Sequence, residues 1–216
     1  MLHANGTRKP WARKGSLAHL TDRDAVVKAA AVLFDRRGYV DTTMQDIADR
    51  LKISKPTLYR HAKSKNEILQ LIINHWIDRS DEALEQASTM PDAAGRIPYI
   101  VRQWTQNAVS NSAHLKVFLS SEQDMPPKAV RRYREWSGKV YDQFREMIIE
   151  GQKQGLYRAD ADPTVAAFSI LGFILLLPRW LSSSGRLSPV EVADEFMKNW
   201  ACGMQAPQRE RMGEPG

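Results

Sequence analysis

Apolar residues recur along this chain at intervals of three and four, the period of helices that bury one face. Val26, Ala29, Ala30, Leu33 and Phe34 make a first stripe, which should stop at Gly38. Met44, Ile47, Ala48 and Leu51 form a second, shorter one. A longer helix is predicted from Lys65, with Leu69, Ile72, Ile73, Trp76 and Ile77 on one side and a capping-box spacing at Ser64 and Glu67. Beyond Pro91 come Ile100, Trp104 and Ala108, then Leu115, Phe118 and Leu119. Pro126 and Pro127 open a stretch carrying Val130, Tyr133, Val140, Tyr141, Phe144, Met147 and Ile148 at helical intervals, with Gly151 and Gly155 near its end. Asp162-Pro163, and Ser188-Pro189 with Glu191, are helix starts that launch two final helices over roughly 163–182 and 189–204. No run alternates with the period of a strand. The pattern predicts an all-α fold of about nine helices.

Composition fits a packed globular protein, with 43% hydrophobic and 26% charged residues. Residues 1–20 lack apolar periodicity and carry Arg8, Lys9, Arg13 and Lys14, which reads as a flexible basic arm, free to track DNA or simply solvated. Residues 21–66 then form a small helical domain, 67–205 a larger one, and 206–216 a fraying tail. The most apolar run, 165–177, falls short of the roughly 20 residues of a membrane span and suits a helix buried on nearly all sides. No membrane association is expected. The single Cys202 allows no intramolecular disulfide and reads as a small buried side chain. Without a recognisable secretory leader, the cytoplasm is the expected compartment.

Charge sharpens the division. Residues 1–65 hold fourteen Lys and Arg against six Asp, a balance of +8, and the remainder seventeen basic against nineteen acidic residues, a balance of −2. An excess of positive charge confined to one end is the footprint of a protein whose one end meets nucleic acid.

Within that basic part, residues 42–61 read as a helix-turn-helix. Thr42 and Gln45 have capping-box spacing, Ala48 is small enough for two helices to cross closely, Ile53 plugs the turn, and Ser54 caps the next helix. That second helix is too short to stand alone. It should lie on the core through Leu58, leaving Lys55, Thr57, Tyr59, Arg60 and His61 to face outward. A major groove admits one such helix, so double-stranded DNA is the expected partner.

These residues resemble the TetR family of bacterial transcription regulators: Phe34-x-x-x-Gly38-Tyr39, Thr42-Thr43 before Ile47-Ala48, Ser54-Lys55-x-Thr57-Leu58-Tyr59-x-His61, and Lys65. The resemblance covers residues 24–69. It implies that Thr42 and Tyr59 contact phosphates with His61 and Lys65 helping, that Lys55, Pro56, Thr57 and Arg60 face or approach bases, and that Thr43 and Ser54 belong to the same DNA-binding set. Two positions depart from the family pattern. Lys52 stands where the turn often has Gly, and Ala62 where an aromatic residue usually follows the His.

The resemblance further implies a larger domain that dimerises through its last two helices and holds a small effector. Leu171, Ile174, Leu175, Val192 and Phe196 are the interface expectation. Trp104, Phe118, Tyr141, Phe144, Met147, Phe168 and Trp180 are bulky enough to line an apolar pocket. The stretch from Pro178-Arg179-Trp180-Leu181 through Gly185-Arg186 to Phe196 is similar to members that answer to acyl-CoA thioesters, with Arg179 and Arg186 as candidates for a phosphate or carboxylate. The expected assembly is thus a homodimeric repressor on a near-palindromic operator, released by a small apolar or acyl-CoA-like effector. A ligand carrier with a vestigial DNA unit is the alternative. Five scattered His, with no metal-spaced His-Glu pair and no phosphate-binding Gly loop, give no support to an enzyme, a metal or a cofactor.

Overall fold

The computed structural model describes residues 17–113, 116–117, 127–181 and 185–205. Among them are eight helices and no sheet: α1 Leu17–Arg37, α2 Met44–Leu51, α3 Lys55–His61, α4 Lys65–Ser88, α5 Ala93–Ser110, α6 Pro127–Lys153, α7 Pro163–Trp180 and α8 Pro189–Met204. A single antiparallel bridge joins Tyr157 to Gln205. Helices α1 to α3 pack on one another, and α1 packs onto α4, which continues into the larger domain against α5 and α6. There α5 lies against α8, α7 and α6, and α6 against α7. One continuous apolar core runs through both parts.

Helix α1 begins at Leu17, four residues before the boundary expected at 21. Arg23, Asp24 and Ala25 are exposed ahead of the buried Val26, so these positions add nothing to an apolar stripe. The helix ends as predicted at Gly38, whose φ of 86° suits a residue without a β-carbon. Helix α2 is capped one residue later than the sequence reading placed it. Thr43, not Thr42, accepts the N–H of Asp46, and the Asp46 carboxylate accepts the Thr43 N–H at 2.8 Å. Gln45 turns away to donate to Asp49. Hydrogen bonds from the Thr43 hydroxyl and N–H, with Arg37 at 3.0 Å, hold the Asp46 carboxyl below its ordinary pKa.

Further along, Ser64 accepts the N–H of Glu67, but that Glu reaches back to the N–H of Lys63 rather than of Ser64, so the box does not close. The Ser188–Glu191 box closes fully, and the Asp162 carboxylate accepts the N–H groups of Thr164 and Val165. Helix α6 ends at Gly155 with φ 72°. Gly151 lies under the Tyr157 ring, where a β-carbon would come within 2.4 Å of it. Cys202 is exposed, contrary to the buried reading, because it sits on the outer side of α8 while Met197 and Met204 fill the inner side.

Candidate nucleic-acid interface and effector cavity

The reading head is assembled from two short helices that the rest of the domain holds in place. Ile47 and Ala48 of α2 and Leu58 of α3 are fully buried against α1. Between the helices Lys52 adopts φ 56°, ψ 38°. The turn is the left-handed one that Gly would favour, and a side chain there costs roughly 1–2 kcal/mol. It brings the N–H of Ile53 to the carbonyl of Ala48 at 3.1 Å. Ser54 then caps α3, accepting the N–H of Thr57 at 3.2 Å and sharing a hydrogen bond with its hydroxyl at 2.7 Å. Buried Ala62 closes the helix with its N–H on the Leu58 carbonyl.

Lys55, Pro56, Tyr59 and Arg60 are exposed along the outer face of α3, with Thr57 and His61 half-buried beside them. Tyr59 is 44% exposed, a large ring that the core does not use. Thr43 and Ser54 are also exposed, though each hydroxyl already serves a cap. Lys52 and Lys63 add exposed positive charge beside this face. The surface therefore combines cations, hydroxyls and an aromatic ring on a helix narrow enough for a groove.

Two residues of the expected contact set turn inward. Thr42 is 0% exposed, and its hydroxyl donates to the Gly38 carbonyl at 2.8 Å, so it ties the α1–α2 loop and presents nothing to solvent. Lys65 places its ammonium 2.6 Å from the Tyr39 carbonyl and 2.8 Å from that of Val40, over the Tyr39 ring at 4.5 Å. Two of its three donors are thereby used. The Tyr39 ring stands edge-on to Phe34, and its hydroxyl donates to Asn66. Lys65 thus clamps the loop before α2 to the start of α4, a link that sequence spacing alone does not reveal. Lys65→Ala is expected to weaken operator binding about tenfold with the dependence on salt unchanged. A salt slope lower by about 1 would instead put the ammonium on a phosphate.

In the larger domain a cavity of about 520 Å³ lies between α4, α5, α6 and α7. Of the residues expected in a pocket, Trp104, Tyr141 and Phe168 line it. Phe144 is fully buried behind Trp104, ring to ring at 5.6 Å, and belongs to the core. Met147 faces a separate depression beside Arg96 and Glu150. Trp180 is exposed at the end of α7 against Phe173. Phe118 lies outside the described residues, as do Leu115, Leu119 and the Arg8, Lys9, Arg13 and Lys14 of the arm. Trp76, Tyr133 and Trp136 complete the aromatic wall, unforeseen because helical spacing does not say which side of an all-buried stripe meets a void. Two indoles tie this wall to α4: Trp104 donates to the Ser80 carbonyl at 3.2 Å and Trp136 to Asp81 at 2.7 Å.

The expected interface residues also divide. Ile174 and Val192 are buried within the protomer, so neither can meet a partner. Leu171 and Leu175 are half-buried at the cavity, and Phe196 is stacked on Phe173 at 3.8 Å. The outer stripe of α7 is apolar instead at Val165, Phe168, Leu176 and Trp180, with Gly172 among them. By length and hydropathy α7 would pass as a membrane span, yet its inner side packs into the core.

Fold and site together define a DNA-binding transcriptional regulator of the helix-turn-helix class. Residues 90–203 match the family profile described as "Tetracyclin repressor-like, C-terminal domain", and residues 26–72 match "Bacterial regulatory proteins, tetR family". The chain belongs to the TetR family. It is 25% identical over 190 residues to the transcriptional repressor KstR2 of Rhodococcus jostii, covering 86% of this chain and 92% of that one. Among solved structures, the ketosteroid transcriptional regulator KstR2 of Mycobacterium tuberculosis superposes with a TM-score of 0.79 at 19% identity, covering 85% of this chain and 95% of that one. AibR, solved in complex with isovaleryl coenzyme A and operator DNA, gives a TM-score of 0.71 at 27% identity over 82% of this chain and 96% of that one. Both KstR2 proteins are transcriptional regulators.

Proposed function

We propose that the protein is a homodimeric repressor that leaves its operator when an apolar, acyl-CoA-like effector fills the cavity. The observation that carries this reading is the course of α4. Trp76 lines the cavity midway along the helix, and Lys65 grips the loop before the reading head at its start. A ligand that displaces the aromatic wall shifts α4 through the indole hydrogen bonds, and with it the reading head. Operator half-sites must lie about 34–36 Å apart, or a multiple, to be read together, so a small change in head separation favours the unbound state.

Contact with DNA falls to Thr43, Ser54, Lys55, Pro56, Thr57, Tyr59, Arg60 and His61, and Thr42 and Lys65 position them. The exposed apolar stripe of α7 suits a second copy of the chain, since a two-fold operator asks for a two-fold protein. The KstR2 relative named a repressor and the AibR complex with isovaleryl coenzyme A support the sign of control and the effector class. Such a regulator acts in the cytoplasm, where the chromosome lies.

A gel-shift with the DNA upstream of the gene tests the reading. Sequence-selective binding is expected, sensitive to salt, reduced at least tenfold by Tyr59→Ala and reversed by a medium-chain acyl-CoA. Equal binding to operator and bulk DNA at every salt concentration would favour a ligand carrier instead.

A further inference from the structure

We infer that Arg134, on α6 at the edge of the cavity, anchors the anionic head of an amphiphilic effector whose apolar body lies against the tryptophans. This rests on the effector reading above and adds the part of the ligand that the reading leaves open. The cavity wall is almost wholly apolar and aromatic, and Arg134 is its one charged lining residue among the described residues. The guanidinium is exposed and meets no carboxylate within ion-pair distance among the described residues. Its neighbours on the helix are occupied: Arg132 pairs with Asp78 at 3.1 Å, and Arg131 lies 4.0 Å from Glu135.

One turn further along α6, Ser137 and Gly138 also line the cavity. A β-carbon at Gly138 would meet nothing within 4 Å, so the space beside the backbone there is open. A head group has room to leave the cavity across that turn, with Arg134 beside it. Arg179 and Arg186, the arginines singled out from sequence, are exposed and line no part of this cavity. An arginine fork meets phosphate and carboxylate oxygens with two parallel hydrogen bonds, and low-dielectric aromatic walls concentrate its field at the opening. The ligand class is therefore an apolar body with negatively charged oxygens at one end. A coenzyme A thioester and a free fatty acid share that chemistry.

The test follows the intrinsic tryptophan fluorescence of the full chain, since Trp76, Trp104 and Trp136 all line the cavity. Decanoyl-CoA, decanoate and 1-decanol are titrated into the wild type and Arg134→Gln. Arg134→Gln is expected to weaken decanoyl-CoA about tenfold and to flatten its salt dependence, with 1-decanol unchanged. An equal loss for decanoate makes a carboxylate sufficient, and a loss confined to decanoyl-CoA assigns the phosphates. Unchanged affinity for both anions, with 1-decanol still bound, overturns the head-group site alone. If none of the three probes changes the fluorescence of the wild type, the cavity is not an effector site and both readings fall.

Discussion

Leu176→Glu is expected to yield a folded monomer that has lost its operator. Leu176 is about half exposed in the protomer, so a carboxylate there costs the isolated fold little. Across a two-fold interface the same change occurs twice, and each charge must leave water for an apolar surface, a penalty of several kcal/mol per ion. Two reading heads joined in one particle gain about 10²–10⁴ in affinity from their linkage, and the monomer forfeits that gain. Sedimentation should show a particle of half the mass, and a gel-shift should show operator affinity lower by about 10³, with weak, salt-sensitive binding to any DNA retained. A variant that stays dimeric at micromolar concentration would remove the α7 stripe from the interface.

Leu58→Ala acts on the other end of the molecule by a different route. Leu58 is the only buried side chain of the seven-residue α3, and a helix of that length has no stability of its own. Removing a fully buried leucine side chain costs about 2–5 kcal/mol. That loss falls on the packing of α3 against α1 and α2. Urea unfolding should shift by this amount in the transition of the small domain, and operator binding should vanish even where most of the chain remains folded. Tyr59→Ala is the contrasting control, because its exposed ring contributes little to the fold: stability should hold while DNA affinity drops. A loss below about 1 kcal/mol on Leu58→Ala would mean that α3 is held by other contacts.

Much of the architecture is legible because helices announce themselves locally. A period of 3.6 is visible wherever one side of a helix is buried, and Gly38, Asp162-Pro163 and Ser188-Glu191 mark ends through bonds made within a few residues. Helix α1 shows the limit of that signal, since Arg23, Asp24 and Ala25, exposed ahead of Val26, carry no stripe to read. The cap of α2 shows another. Thr42 and Thr43 are both plausible caps, and only the packing of the loop onto α1 sends one hydroxyl into the protein and leaves the other on the helix.

By itself, then, the sequence determined the all-helical fold, the place of the reading head and its outward set from Lys55 to His61. Each of these follows from interactions between near neighbours in the chain. Only the tertiary structure decided that Lys65 grips the carbonyls of Tyr39 and Val40 and that Trp76 and Trp136 share a cavity with Trp104. It also turned Ile174 inward while Leu176 and Val165 face out. Those facts join residues distant in sequence, and on a helix apolar nearly all round, as α7 is, periodicity gives no direction: the packing of α5, α6 and α8 around it does.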